Sequence, residues 1–215
     1  MTKIQLIPVV ELPHPAEAWE AAGARPTGTR HESPEDWERF LRAVNAHSGY
    51  GELKSYPIGS HRYPVTQLSP PDVDRLVKLH LGDTPIEESC ALFGGYVLAE
   101  NGRAVLVPQC CGTLAEIASW RFISRREPFE EHYLSEGHPA PRARSDGSTV
   151  EIVCLDEHEA FEEPAPELFT VSRNDLAVAL ERAERVLDGL AGKLDDWGMK
   201  NGFGKVADTL IHEAS

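Results

Sequence analysis

Histidine and acidic residues follow one another after residue 155 and are the first candidates for metal chemistry. His158 and Glu162 are four residues apart, so a helix would place both side chains on one face. The zinc protease motif needs a second histidine at the position that Glu162 occupies, and Pro164 leaves little room for a helix. We therefore predict a solvated acidic loop without metal ligands. A metal-dependent enzyme that uses His158 is kept as an alternative.

Four cysteines are the second candidates, and we expect all of them to be thiols, as in a reducing cytosol. Structural zinc sites usually separate their cysteines by a few residues and add a second pair, whereas Cys110 and Cys111 are adjacent. We expect this adjacent pair to be poorly placed to form a disulfide with each other, because alternation along a strand would point the two thiols to opposite faces. Cys90 and Cys154 are isolated and are expected in the core as small apolar side chains. A thiol-dependent enzyme that uses Cys111 would need a nearby base, and it is kept as an alternative.

Signatures of other enzyme classes are missing from the sequence. It has no Gly-x-Ser-x-Gly elbow and no P-loop. The glycines between Gly192 and Gly204 follow no predicted strand, so they do not form a dinucleotide-binding fingerprint. We assign no catalytic residue and no cofactor.

The chain is strongly acidic, with 21 Lys and Arg against 35 Asp and Glu and a formal net charge of −14. Such a surface repels nucleic-acid phosphates and anionic membranes, and it attracts basic proteins and speeds their association. The alternative is that the charge serves solubility alone. We predict a protein partner, and neither a nucleic acid nor a membrane.

The acidic residues are most concentrated between Glu151 and Glu167, where seven occur without any Lys or Arg. A charged rim around an aromatic anchor is typical of a docking surface, although most acidic loops are only solvated. The candidate partner-binding residues are Asp156, Glu157, Glu159, Phe161, Glu162 and Glu163.

The N-terminal segment MTKIQLIPVVELPHP does not have the layout of a signal peptide. No apolar stretch approaches the roughly 20 residues that cross a bilayer. We expect a cytoplasmic protein.

Local signals place the first half of the chain on secondary structure. Residues 3–10 predict a strand in which Pro8 marks an edge or an end, and residues 16–22 predict a short helix. Residues 48–67 read as a loop with one short strand. Capping boxes predict further helices from Ser33, Ser69 and Thr84, the last of them ending at Gly94 and Gly95.

The clearest strand signal is a pair of apolar runs on either side of Asn101 and Gly102, which suit a type I′ turn. We predict a hairpin of residues 96–100 with residues 103–107. A short helix capped by Thr113 should follow.

The last third of the chain is predicted to hold a polar loop over residues 125–147, strands at 149–155 and 168–171, and a long helix from Ser172. We interpret the apolar seam of this helix as packing within the chain, with a coiled-coil dimer as the alternative. The seam consists of Leu176, Leu180, Ala183, Leu187, Leu190, Leu194 and Trp197.

Strands and helices do not alternate regularly, which argues against a doubly wound sheet. We predict one α+β domain over residues 1–215, with helices packed on one face of a mostly antiparallel sheet and a long C-terminal helix.

Residues Gly94–Trp120 read GGYVLAENGRAVLVPQCCGTLAEIASW, with a glycine pair, the hairpin, then Pro108 to Leu114 and a tryptophan. This stretch resembles immunity-type proteins of bacterial polymorphic toxin systems, a group that includes the SMI1/KNR4-like (SUKH) proteins. Leu12 and Pro13 are followed by His14, and the N-terminal aromatic signature of that group is not evident. The resemblance implies a non-enzymatic inhibitor that binds a toxin, often a basic nuclease.

Three functions are therefore carried forward. The leading one is a non-enzymatic, cytoplasmic protein-binding module, an immunity or antitoxin-like inhibitor that masks a basic partner protein. The alternatives are a small metal- or thiol-dependent enzyme and a structural subunit that forms a homodimer through residues 176–197.

Overall fold

The computed structural model describes residues 3–125 and 128–212. Contacts divide the chain into two compact units, unit 1 (Met1–Pro8 and Phe93–Leu187) and unit 2 (Val9–Leu92 and Asp188–Ser215). The expectation of a single domain over residues 1–215 stays a prediction.

The α+β class and the long C-terminal helix are confirmed. Six α-helices occur in the described residues: α1 (Ala16–Ala21), α2 (Pro34–His47), α3 (Pro70–Leu81), α4 (Ile117–Ile123), α5 (Arg173–Asn201) and α6 (Ala207–His212). None of these described helices is long and apolar enough to cross a membrane.

The strands form two four-stranded antiparallel sheets, where the sequence predicted one. The first sheet has the order β2-β1-β3-β4 and the second the order β5-β6-β7-β8. Their bounds are β1 (Ile4–Glu11), β2 (Arg62–Pro64), β3 (Gly94–Glu100), β4 (Arg103–Leu106), β5 (Phe129–Tyr133), β6 (Arg142–Ser145), β7 (Thr149–Val153) and β8 (Leu168–Ser172).

The predicted hairpin is confirmed as β3 and β4. Asn101 and Gly102 have φ angles of 53° and 81°, as a type I′ turn requires. Glu100 pairs with Arg103 directly across the turn.

The capping signals had mixed outcomes. The box at Ser69 is confirmed, because its hydroxyl accepts from the Asp72 N–H and the Asp72 carboxylate accepts from the Ser69 N–H. The box at Ser33 is wrong, since its side chain makes no capping bond although α2 begins at Pro34. The side chain of Thr113 likewise makes no capping bond.

The helix predicted from Thr84 to Gly94 is also wrong. Only a single 3-10 turn forms, over Ile86–Glu88, and β3 begins at Gly94. Gly94 and Gly95, at which the sequence predicted the end of a helix, both lie in β3. A Cβ atom on Gly95 would lie 2.9 Å from Glu116 Oε2, so this glycine serves close packing and not a helix end.

The polar loop predicted over residues 125–147 is wrong as well, because it contains β5 and β6. These strands pair with each other, and β6 pairs with β7 over Arg142↔Val153 to Ser145↔Val150. The turn at Asp146 and Gly147 is confirmed, and its carboxylate accepts the N–H groups of Ser148 and Thr149. Those bonds lower the pKa of Asp146 to about 2.

Three further expectations, on Pro8, on two of the cysteines and on the seam of α5, have different outcomes. Pro8 lies within β1, which is not an edge strand of its sheet, and pairing to β2 covers only Val9–Glu11. Cys90 is exposed and not in the core, whereas Cys154 is buried. The seven seam residues of α5 are all buried in the single chain, which favours packing within the chain over a coiled-coil dimer.

Candidate functional site

A groove opens in unit 1 where strands β5, β6 and β7 end. Tyr133, Arg142 and Val153 lie side by side in the sheet at this end. The chain leaves it in two loops, residues 134–141 after β5 and residues 154–167 after β7. These loops form the walls of a cavity of about 590 Å³.

The groove is acidic. Four carboxylates line it against one guanidinium, that of Arg142. The Arg142 side chain lies 3.7 Å from Glu131 Oε1 and donates to the Leu155 carbonyl at 3.5 Å. The four carboxylates are those of Glu136, Asp156, Glu157 and Glu159.

Three of these carboxylates, Asp156, Glu157 and Glu159, form what we call the rim. All three are exposed. Asp156 also shapes the loop, because its carboxylate accepts the N–H groups of His158 at 2.8 Å and Glu159 at 3.0 Å. These two hydrogen bonds lower the pKa of Asp156, because they stabilise its ionised form.

Two large apolar side chains lie beside the carboxylates. Tyr133 is 55% exposed and Leu155 is 49% exposed, and both line the groove. Exposed apolar side chains next to a cluster of charge are typical of binding surfaces. The combination suits a lysine or arginine side chain, whose stem is apolar and whose head is charged.

The structure separates the six predicted partner-binding residues. Asp156, Glu157 and Glu159 line the groove, whereas Phe161, Glu162 and Glu163 do not. Phe161 and Glu162 are half-buried.

Glu163 lies near the buried thiol of Cys154 instead of the groove. Burial, reinforced by the Glu163 charge, raises the pKa of the Cys154 thiol to about 11. This thiol therefore stays protonated and has little nucleophilic character at neutral pH.

A short segment, Pro108–Gly112, holds both walls of the groove, and we call it the clamp. The buried Gln109 amide pairs with the backbone of Glu162: its Oε1 accepts the Glu162 N–H at 2.7 Å, and its Nε2 donates to the Glu162 carbonyl at 3.3 Å. The Cys110 carbonyl accepts the N–H of His138 in the other wall at 3.1 Å. One segment thus fixes two loops that are far apart in sequence.

The fit between the clamp and the first wall is close. Gly137 is buried, and a Cβ atom at this position would lie 2.2 Å from the Cys110 carbonyl oxygen. Real Cβ atoms do not approach so near, so any larger side chain must displace the wall or the clamp.

The buried carboxyl group of Glu116 lies next to the clamp. Glu116 Oε1 is buried and has no hydrogen-bond partner among the described residues. Burial raises the pKa of Glu116 to about 8, the Glu136 charge adds to the shift, and a hydrogen bond from the Thr113 backbone opposes it. Glu116 is therefore largely protonated at neutral pH.

The two clamp thiols differ from expectation. The Sγ atoms of Cys110 and Cys111 lie 3.3 Å apart and point the same way, not to opposite faces. The reason is that Cys111 has a φ angle of 66°, so the segment turns instead of continuing as a strand.

The metal alternative finds no support in the geometry. His158 lies in a loop without helical structure, so it does not share a helix face with Glu162. Among residues 3–125 and 128–212, no group of three or more His, Cys, Asp or Glu side chains could hold a metal ion.

Sequence reasoning missed the residues that complete the groove. Tyr133 and Glu136 fall in the stretch predicted as a loop, and Gln109 lies in the Pro108 to Leu114 stretch, for which the sequence predicts no site residue. A signal was present in FEEHY, where one aromatic residue stands at each end of a five-residue run. The pairing of this strand with β6 is what brings Tyr133 to the groove.

Comparison of the chain with protein-family models, with curated proteins and with solved structures found no match. The resemblance of Gly94–Trp120 to SUKH proteins therefore stays a prediction from those residues. What the structure adds is a physical role for part of this stretch, since it contains the clamp.

Proposed function

We propose that this chain is a non-enzymatic protein-binding module whose unit 1 groove receives a basic side chain of a partner protein. The observation that carries the proposal is the groove itself, in which the exposed Tyr133 and Leu155 lie beside four carboxylates. Apolar side chains that are exposed together and bordered by charged groups are typical of an interaction site.

A bound basic side chain would contact both the apolar side chains and the carboxylates of the groove. The stem of a lysine or arginine would lie on the Tyr133 ring and on Leu155, and its charged head would meet the rim. The net charge of −14 would draw a basic partner in and raise the association rate. Masking a functional basic surface of that partner is how an inhibitor of the immunity type would work.

The rim and the two apolar side chains would contribute to binding in different ways. Exposed ion pairs contribute only about 0–1 kcal/mol each, so the rim acts mainly on the rate of encounter. Anchoring belongs to Tyr133 and Leu155, because desolvated aromatic and apolar contacts supply most of the binding free energy at protein interfaces.

The test uses the full chain as bait for basic proteins of its own host, including the product of the gene immediately upstream. The rim variant D156N/E157Q/E159Q removes three charges from the groove, and Asn at position 156 can still accept the two backbone N–H groups. The matched control E162Q/E163Q/E167Q removes three charges from the same loop at residues that do not line the groove.

We expect a basic protein to be captured at low ionic strength by the wild-type chain and by the control, and to be captured in a clearly smaller amount by the rim variant. Capture that is equal for all three chains, or that is lost equally from both variants, would show that the groove does not select the partner.

A further inference from the structure

The clamp presents two thiols side by side at the surface of unit 1. The Sγ atoms of Cys110 and Cys111 are 3.3 Å apart, and both residues are exposed. The left-handed backbone at Cys111 is what turns its side chain toward its neighbour. The proposed function makes no use of these thiols.

We propose that Cys110 and Cys111 form a reversible oxidation site, which closes a disulfide between neighbouring residues when the chain meets a low-molecular-weight disulfide. One cysteine thiolate attacks the S–S bond of the reagent, forms a mixed disulfide and releases one reagent thiolate. The other cysteine thiolate attacks the protein sulfur of that mixed disulfide and releases the second reagent thiolate. The pair loses two protons and two electrons, and the reagent leaves as two thiols.

The placement of the two thiols favours the second step. Thiol–disulfide exchange is fast when the attacking sulfur is already beside its target, because the reaction becomes intramolecular. The other two cysteines lack this advantage: Cys154 is buried, and Cys90 is exposed but is not adjacent to another cysteine in the sequence. Because no third ligand completes a metal site in the described residues, the pair suits redox chemistry better than metal binding.

Closing the ring has a structural consequence for the groove wall. The ring contains the peptide group that joins the two cysteines, and its carbonyl is the one that accepts the His138 N–H at 3.1 Å. Gly137 fits against the same oxygen so closely that a Cβ there would be 2.2 Å from it. Reorientation of this carbonyl would therefore loosen residues 136–140. This consequence holds whether or not the groove binds a protein.

The test treats the reduced, folded chain with oxidised glutathione and then follows two tryptic peptides by mass. Peptide Ala104–Arg121 carries Cys110 and Cys111 and no other cysteine, whereas Leu79–Arg103 carries only Cys90. We expect the first peptide to lose two hydrogen atoms and to carry no glutathione, and reduction should restore it. The isolated Cys90 should instead accumulate the mixed disulfide, as an internal control.

The folded structure should matter to the rate. We expect ring closure to be slower in concentrated urea by roughly tenfold or more, because the turn at Cys111 is then lost. Glutathione retained on Ala104–Arg121, disulfides between chains, or closure as fast in urea as in the native chain would overturn the proposal.

A second measurement addresses the consequence for the wall. Amide hydrogen exchange over residues 134–141 should be faster in the oxidised chain than in the reduced chain. The variant Cys110→Ser forms only a mixed disulfide at Cys111, so its exchange in this segment should not change on treatment. Equal protection in the oxidised and reduced wild-type chain would overturn the link between the thiols and the wall.

Discussion

The rim lines the groove and the clamp is hydrogen-bonded to the two loops that form its walls, yet the two are built in opposite ways. The rim carries three exposed carboxylates, and the one of Asp156 accepts two backbone N–H groups within its own loop. The clamp carries a buried amide at Gln109, with a partner for each of its two polar atoms. The rim exposes charged side chains to solvent, whereas the clamp buries polar groups that need hydrogen-bond partners.

This difference predicts where substitutions will act. Exposed charges can be replaced with little effect on folding, whereas a buried polar group that loses its partner is costly. We therefore expect clamp variants to change stability and rim variants to change association. The predictions below test that separation, beginning with the largest expected effect.

Gly137→Val should destabilise the chain by about 2–3 kcal/mol, because its side chain would displace the Cys110 carbonyl from the wall. Urea unfolding measures this loss. The control is Gly189→Ala in α5, where a Cβ would meet no atom within 4 Å and where the substitution should stabilise by about 0.5–1 kcal/mol. Equal stability of Gly137→Val and the wild type would mean that the wall does not rest on the clamp.

Glu116 should make the chain less stable as pH rises. Its pKa is raised from 4.5 to about 8 in the folded chain, so between these values the folded state holds a proton that the unfolded state has lost. The contribution of the neutral Glu116 carboxyl group to the stability of the folded chain is fully present below pH 4.5. It is lost as pH rises through about 8. Glu116→Gln should therefore stabilise the chain at pH 9 by about 1–2 kcal/mol and change it little at pH 4.5.

Unfolding in urea at both pH values measures this effect, and Glu159→Gln in the exposed rim is the matched control. A gain from Glu116→Gln that is the same at both pH values would contradict a titrating, buried carboxyl group.

Gln109→Ala should cost about 1–2 kcal/mol, because it removes the buried amide that accepts the Glu162 N–H and donates to the Glu162 carbonyl. Gln109→Glu should cost at least as much, since it places a carboxylate oxygen where the amide donates to the Glu162 and Val107 carbonyls. Urea unfolding gives both values, and limited proteolysis should find faster cleavage in residues 154–167. Stability within about 0.5 kcal/mol of wild type for both variants would remove the clamp from this account.

The elements that the sequence predicted correctly are those fixed by neighbours in the chain. Asn101 and Gly102 set a hairpin because their own backbone angles define the turn, and Ser69 caps α3 through a residue three positions away. The acidic stretch was also visible, and half of its candidate residues line the groove.

What the sequence did not predict depends on distant partners. The strand Phe129–Tyr133 is mostly polar, and it becomes a strand by pairing with β6 rather than through its own pattern. Gly94 and Gly95 suggested a helix end, but the space beside Gly95 is filled by Glu116. Glu162 and Glu157 look alike in the sequence, but in the structure Glu162 is hydrogen-bonded to Gln109 and Glu157 lines the groove.

The rim should have the smallest effect on folding. The variant D156N/E157Q/E159Q is expected to unfold within about 0.5 kcal/mol of wild type, because all three side chains are exposed. Unfolding of the variant would instead assign these carboxylates a structural role.

The association rate of the captured basic partner, measured against ionic strength, tests the central claim most directly. For the rim variant we predict association slower by about tenfold at low salt, a shallower salt dependence, and a nearly unchanged dissociation rate. The control E162Q/E163Q/E167Q should keep most of the wild-type rate. A rim variant that associates at the wild-type rate with the wild-type salt dependence would contradict the account.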